Sequence, residues 1–526
     1  MRTAVGKQWW RPAMLVWFLR RGFWNNIAWF KFKMAKPLDI DLPTDREWYI
    51  EPKPMIKAIP EVPLRNVKVC TQDDIPRDER SFRNSKFFDV QVWAYTTLAS
   101  PMQQGLPSID ADPKVALKRA FNGLRRTLLP PPELPAEYED SPDLGSLAVR
   151  GPFACYTTKV DDPTLDEPTW EWNLLLLNDF KHHEDLQNIG SRVLFHLDPL
   201  RRALQACRIE CALDTNPIEV TDPRWDQACK IALCAASTHL SLVRHFNWVH
   251  LVGGAHLAIA TRNCLSADHP LCRLLWPYIF GTQQSNDMVT RAQMVRGGDF
   301  ETTFSFTLEG MCDLFDQTYL DYDYIVNDPE QDGDDRKVRN AGFDTPTQDN
   351  LEELFNIMNR FTRNYLQIYY KSAPPLLRDH QVMAWLEELN ERVPHGVGVD
   401  PTNVTREKLA RLLAQQLFSV TVQHEILGSF MWNYQLWTHR QPARIYNDFR
   451  REPLDVYQRL VNANYILNVN RRALMYDFSY LAGSNRAAMA MSEFQSELTA
   501  LQAQMDSKPG AVWRVEPKDL KVNINA

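Results

Sequence analysis

The stretch from Trp225 to Thr261 runs without a proline, and ten of the eighteen residues of its middle, Ala235 to Val252, are apolar. Such a run predicts one or two long helices. Farther along, Leu351, Leu354, Phe355, Met358, Phe361, Tyr365 and Ile368 recur at spacings of three and four, which marks a helix with one buried face. Thr405-Arg406-Glu407-Lys408 reads as a helix start, and the chain then continues from Leu409 to Trp432 without proline. Between these helices the acidic stretch Asp328 to Asp335 lacks the ligand spacing of a calcium loop and is expected to be a solvated turn. The predicted class is mainly α with a small β content.

The first 150 residues read differently. Leu129-Pro130-Pro131-Pro132-Glu133-Leu134-Pro135 must be extended, because each proline removes a donor and restricts its neighbour. Ahead of it, Trp9, Trp10, Trp17, Phe18, Phe23, Trp24, Trp29 and Phe30 interleave with Lys7, Arg11, Arg20, Arg21, Lys31 and Lys33. Aromatics with a basic fringe suit a helix packed on its own domain or lying on a membrane surface. The division expected is therefore an aromatic, basic helix and a Pro-rich strap over residues 1–150, and a main domain over 151–526.

Composition narrows the function classes. Hydrophobic residues at 44% and charged residues at 24% describe a folded protein, and a net charge of -7 argues against nucleic acid as a partner. The nine cysteines show no paired spacing, so a reduced, cytoplasmic setting, peripheral to the membrane if the N-terminal helix binds one, is expected over a disulfide framework. The triplet Asn403-Val404-Thr405 is then not expected to be glycosylated.

The chemistry lies in the central helix. His239, His245 and His250 fall close together in its apolar middle, with five residues between the first two and four between the last two. Neutral imidazole is a common ligand for iron and zinc. Residues five positions apart are separated by about 500° of turn in a regular helix, so a shared face needs a π-type widening, which is frequent at functional sites. His182-His183-Glu184-Asp185 also groups metal-capable side chains, but its charged context predicts a solvated helix start. Cys207 and Cys211, one helical turn apart without a histidine nearby, read as core residues.

Several segments resemble the lipoxygenase family. Ser241-Leu242-Val243-Arg244-His245 and His250-Leu251-Val252 resemble the later part of its metal-binding helix. Ile259-Ala260-Thr261-Arg262 leading to His269-Pro270-Leu271 resembles the segment after it, and Asn216-Pro217-Ile218 through Asp222-Pro223-Arg224-Trp225 the one before. Thr421-Val422-Gln423-His424 looks like the step that supplies a third histidine, and the distance from Pro517 to Ala526 matches the family's C-terminal segment, whose terminal carboxylate binds iron. The resemblance covers about Gly151 to Ala526 and implies a lipoxygenase-like helical domain without a preceding β-barrel module.

The implied metal set is drawn from His239, His245, His250, His424 and the carboxylate of Ala526. Downstream register favours His239 with His245; the four-residue gap favours His245 with His250. Position 428, where the family often has a weak asparagine ligand, is glycine. The implied cofactor is non-heme iron, with manganese the alternative. The implied reaction is hydrogen abstraction from a polyunsaturated fatty acid or similar lipid, followed by O2 addition to give a hydroperoxide. No acid–base or nucleophilic protein group is required. The alternatives are a lipoxygenase-fold oxidase acting on a different, biosynthetic substrate, and a non-catalytic relative that has lost the metal. Arg291 to Asp299, with Gly297 and Gly298, resembles the region where a small residue guides oxygen, and equally fits a turn.

Overall fold

The computed structural model describes residues 143–160, 168–435, 441–449, 473–507 and 514–522, with shorter runs between 40 and 75. The predicted N-terminal helix, the Leu129–Pro135 strap and Ala526 lie outside the described residues.

The expected helical class holds, and among the described residues the small β content resolves into two sheets. Lys53–Pro54 (β1) pairs antiparallel with Lys68–Val69 (β2). Thr158–Lys159 (β3), Thr169–Asn173 (β4), Arg192–Asp198 (β5), Ala203–Glu210 (β6) and Ile218–Glu219 (β7) form an antiparallel sheet in sequence order. Trp170 faces Phe195 and Trp172 faces Val193 across β4 and β5, and all four side chains are buried. Cross-strand pairs of aromatic and β-branched residues of this kind hold register. Cys207 lies on β6, so it and Cys211 are not helical neighbours, and both are partly exposed. Sequence spacing had mistaken a strand for a helix there.

After the sheet the chain becomes one continuous helical column. Trp225–His239 is α-helical, Leu240–Gly254 is a π-helix, and Ala255–Cys264 returns to α-helix. The helix Leu308–Leu320 packs along the π-segment: Asn247 Nδ2 donates to the Phe315 carbonyl at 2.9 Å, and Trp248 Nε1 to the Thr318 carbonyl at 2.8 Å. The predicted amphipathic helix spans Pro346–Tyr369 and buries Leu354, Phe355, Met358, Phe361 and Tyr365. Each large apolar side chain so buried contributes roughly 1.5–3 kcal/mol. This helix packs on Arg406–Phe418, whose cap is the expected Thr405, its Oγ accepting from Lys408 N–H at 3.2 Å. Ser419–Gln423 and Ile426–Phe430 then continue it as two short π-helical turns.

The acidic stretch is not a solvated turn. Pro329–Asp335 is a helix capped by Asp328, which is fully buried and accepts from Arg411 Nη2 at 2.7 Å and Gln415 Nε2 at 3.1 Å. A carboxylate can be buried there because the Arg411 guanidinium, on the helix Arg406–Phe418, neutralises it. His182 to Asp185 is likewise no helix start: His182 pairs in an isolated bridge with Phe306, pinning an irregular segment. Near the N-terminal side, Asp316 accepts from the backbone N–H groups of Arg65 and Asn66 at 2.7 and 2.8 Å, and Val62, Leu64 and Val67 join the main core.

Candidate metal centre

The π-segment sets the site. In a ladder of i→i+5 hydrogen bonds, positions five apart come onto one side, as they would not in an α-helix. The Ala255 N–H accordingly bonds to the His250 carbonyl. His245 and His250 therefore project together, and their Nε2 atoms lie 3.2 Å apart. His424, between the two short π-turns of the neighbouring helix, brings its Nε2 to 3.1 Å from that of His250. Among the described residues these three form the metal-capable cluster, with ligand atoms all within 4.8 Å of one another. His245 is 7% exposed and the other two 1%.

The tautomers of two rings follow from their outer partners. Asn286, on the helix Thr282–Gln293, donates through Nδ2 to the His250 carbonyl at 2.9 Å. Its Oδ1 is thereby turned to His250 Nδ1, 3.1 Å away, and an amide oxygen can only accept. His250 thus carries its proton on Nδ1. His424 Nδ1 faces Glu425 Oε1 at 3.2 Å, which fixes its proton in the same way. Both Nε2 atoms then carry lone pairs 3.1 Å apart, with His245 Nε2 3.2 Å from that of His250, and lone pairs so close repel unless a proton or a cation lies between them. Cis ligands at roughly 2.1 Å from one ion stand about 3 Å apart, so the donor set fits a metal. Carbonyl and carboxylate partners behind the ring are what metal-binding histidines use to hold orientation.

His239 stands elsewhere. Its Nδ1 lies 2.9 Å from the Tyr156 hydroxyl, and its ring packs edge-on to Tyr156 and Trp248. Burial, assisted by the Arg244 charge, pushes its pKa down to about 3, so it is neutral. The structure brings together His245, His250 and His424 and leaves His239 out of that cluster. The pair favoured by downstream register is thus not the pair that meets, because register counts residues while the widened helix decides which side they face.

Gly428 belongs to the site by shape. A Cβ there would sit 2.6 Å from His245 Nε2, so His245 occupies the space a side chain would need. Phe246, in ring contact with His250, meets Phe300 and Phe315 and makes an apolar wall beside the cluster. Gly297 and Gly298 fall in the turn before the helix Asp299–Thr303; a Cβ on Gly298 would lie 2.5 Å from the Gln293 carbonyl, so the turn itself requires glycine. Asn286 and Glu425 escape a reading of the sequence: Asn286 is 36 positions from its ring, and no local pattern marks it.

The family model for lipoxygenase matches residues 208–464, a span that holds all four histidines. These residues form a divergent lipoxygenase-family domain. The polyunsaturated fatty acid lipoxygenase ALOX15 of Mus musculus is 23% identical over 280 residues, 49% of this chain and 41% of that protein. The linoleate 9/13-lipoxygenase of Pseudomonas aeruginosa is 24% identical over 244 residues, 44% of this chain and 35% of that one. These matches span less than half the length of the lipoxygenases concerned. A solved lipoxygenase variant in complex with arachidonate superimposes with a TM-score of 0.74 at 16% identity, covering 91% of this chain and 80% of its own. The manganese lipoxygenase of Gaeumannomyces graminis does so at 0.70 and 13%, covering 83% and 89%. At such identities the likeness to these lipoxygenases establishes the fold.

Proposed function

We propose that the protein is a lipoxygenase-type dioxygenase acting on a polyunsaturated fatty acid or a similar long apolar lipid, with a non-heme iron, or manganese, held by His245, His250 and His424. The observation that carries this is the pair of lone-pair-bearing Nε2 atoms on His250 and His424, buried and 3.1 Å apart. When bound, the metal supplies the one-electron redox chemistry by which an activated methylene loses hydrogen and its carbon takes up O2.

The protein's own contribution is arrangement. Asn286 and Glu425 keep the Nδ1 protons of His250 and His424 in place, so that Nε2 stays free for the ion. Phe246, Phe300 and Phe315 exclude water from that side and offer an apolar surface to a lipid chain. The fourth protein ligand implied by the resemblance, the Ala526 carboxylate, lies outside the described residues. Fatty acid lipoxygenases among the relatives and an arachidonate complex among the structural neighbours support the choice of substrate class. A contact with the membrane surface through the N-terminal aromatic helix and a cytoplasmic location complete this reading.

The test is metal content of the purified protein, compared with His424→Ala and with a chain extended by one residue after Ala526. Stoichiometric iron or manganese that is lost in His424→Ala supports the assignment, and loss in the extended chain adds the carboxylate. Oxygen uptake with linoleate or arachidonate then reports the reaction. Freshly prepared wild type that takes up neither metal refutes it.

A further inference from the structure

His239, which the three-histidine cluster leaves out, makes a pair of its own with Tyr156. The Tyr156 hydroxyl lies 2.9 Å from His239 Nδ1 and 3.4 Å from the Ala236 carbonyl, and both rings are buried. The shorter contact takes the phenol proton, so the hydroxyl donates to the Nδ1 lone pair of a neutral imidazole. Burial holds the phenol well above its ordinary pKa, and at rest it keeps that proton.

The pair ends a line of ring contacts that runs along the metal-bearing helix. Tyr156 meets His239 at 5.5 Å between ring centres, His239 meets Trp248 at 6.2 Å, and Trp248 meets Tyr322 at 5.8 Å, all edge to face. At these separations ring edges touch, so an electron passes from one to the next without crossing a gap. Trp248 sits on the π-segment between His245 and His250.

Of the three oxidisable rings in this line, Tyr156 is the one that can keep a missing electron. An oxidised phenol is a strong acid and settles only by giving its proton to a base. The Tyr322 hydroxyl accepts from Asn327 Nδ2 at 2.7 Å, and that amide nitrogen can take no proton. Trp248 Nε1 donates to the Thr318 carbonyl, which is no base either. Tyr156 faces an imidazole. The Arg244 guanidinium, 5.2 Å from the Tyr156 ring centre and 5.4 Å from that of Trp248, makes a cation on either ring costly. The line therefore stays idle toward weak oxidants.

We propose that Trp248, His239 and Tyr156 form an electron relay that draws oxidising equivalents off the metal-bearing segment and holds them as a neutral phenoxyl on Tyr156. The relay rests on the dioxygenase reading for its oxidant, a lipid peroxyl radical that has escaped its normal reduction. That radical takes one electron from Trp248 and one proton from water and becomes a hydroperoxide, leaving hydroxide in solvent. Trp248 regains its electron from Tyr156, whose O–H bond breaks as its proton forms an N–H bond on His239 Nδ1.

The test is high-field EPR on the full chain, frozen directly after oxidation in two forms. One is chelator-treated and photo-oxidised with tris(bipyridine)ruthenium(III); the other is iron-loaded and given linoleate hydroperoxide. In deuterated water the metal-free wild type is expected to show a phenoxyl coupled to an exchangeable deuteron, the mark of the His239 bond. The signal is expected to vanish in Tyr156→Phe and in His239→Gln and to persist in Tyr322→Phe. Tyr319→Phe is the control for a competing pair, because Tyr319 lies 2.7 Å from His256 Nε2 but no ring contact joins it to Trp248 among the described residues; the signal is expected to persist there too. A phenoxyl undiminished in Tyr156→Phe, or lost in Tyr319→Phe instead, overturns the proposal. So does a wild-type phenoxyl without the deuteron coupling, a result that no folding defect in a variant can produce. A signal in the metal-free chain with silence in the iron-loaded one supports the relay and counts against the dioxygenase reading alone.

Discussion

Gly428→Ala probes the tightest contact in the site. An ideal Cβ at residue 428 lies 2.6 Å from His245 Nε2, 2.9 Å from Cε1 and 3.2 Å from Cδ2. Ordinary contact begins at 3.4 Å, so the ring must retreat by about 0.8 Å, the difference 3.4 − 2.6. The atoms met are the far end of a side chain that can swing, so the fold itself loses only about 1 kcal/mol, the low end of overpacking costs. The ligand geometry loses more. A retreat of that size exceeds the ~0.2 Å tolerance of metal–ligand distances several-fold, so affinity falls by about 10–100-fold, as when a ligand's supporting partner is removed. The assay is chelator competition for iron or manganese on wild type and variant, with thermal unfolding in parallel. Metal affinity in Gly428→Ala within about twofold of wild type, while His250→Gln loses metal, would show that His245 does not hold the ion from this position.

Other expectations follow from the same packing. His239→Gln is expected to keep full metal content and His245→Gln to lose it, since His239 faces Tyr156 while His245 faces the cluster; metal analysis of the two variants decides between the pairings. Asp328→Ala is expected to destabilise the fold by about 2–4 kcal/mol in urea, because it removes a helix cap and leaves Arg411, which is 32% exposed, without its buried partner. Asp379 gives a pH signature. Burial raises its pKa, but hydrogen bonds from His269 and Tyr370 and the His269 charge outweigh that and hold it at about 2. A depressed carboxyl pKa stabilises above the unfolded value and loses that contribution as pH falls through the folded one. Wild type should therefore lose about 2 kcal/mol relative to Asp379→Asn between pH 4 and pH 2, measured by denaturant unfolding; parallel pH profiles for the two proteins would refute the attribution.

What the sequence determined was the set of parts. A proline-free run from Trp225 to Thr261 becomes a buried helical column because a helix satisfies its backbone groups within the segment itself. Thr405 caps its helix and the three-and-four spacing from Leu351 buries its stripe, both local effects that read directly from residue type and period. The family resemblance found the histidines and their neighbourhood. It did not decide which of them meet. That depends on widening to i→i+5 bonding from Leu240 to Gly254, on a second widened stretch around His424, and on how the two helices pack. Local sequence reports none of this, because π and α geometry differ by one hydrogen-bond step and tertiary contacts such as Asn247 with Phe315 help select between them. The same holds for Asp328, which a charged context marked for solvent and an arginine on a distant helix drew into the core. Asn286 is likewise visible only once the chain has folded its amide against the His250 ring.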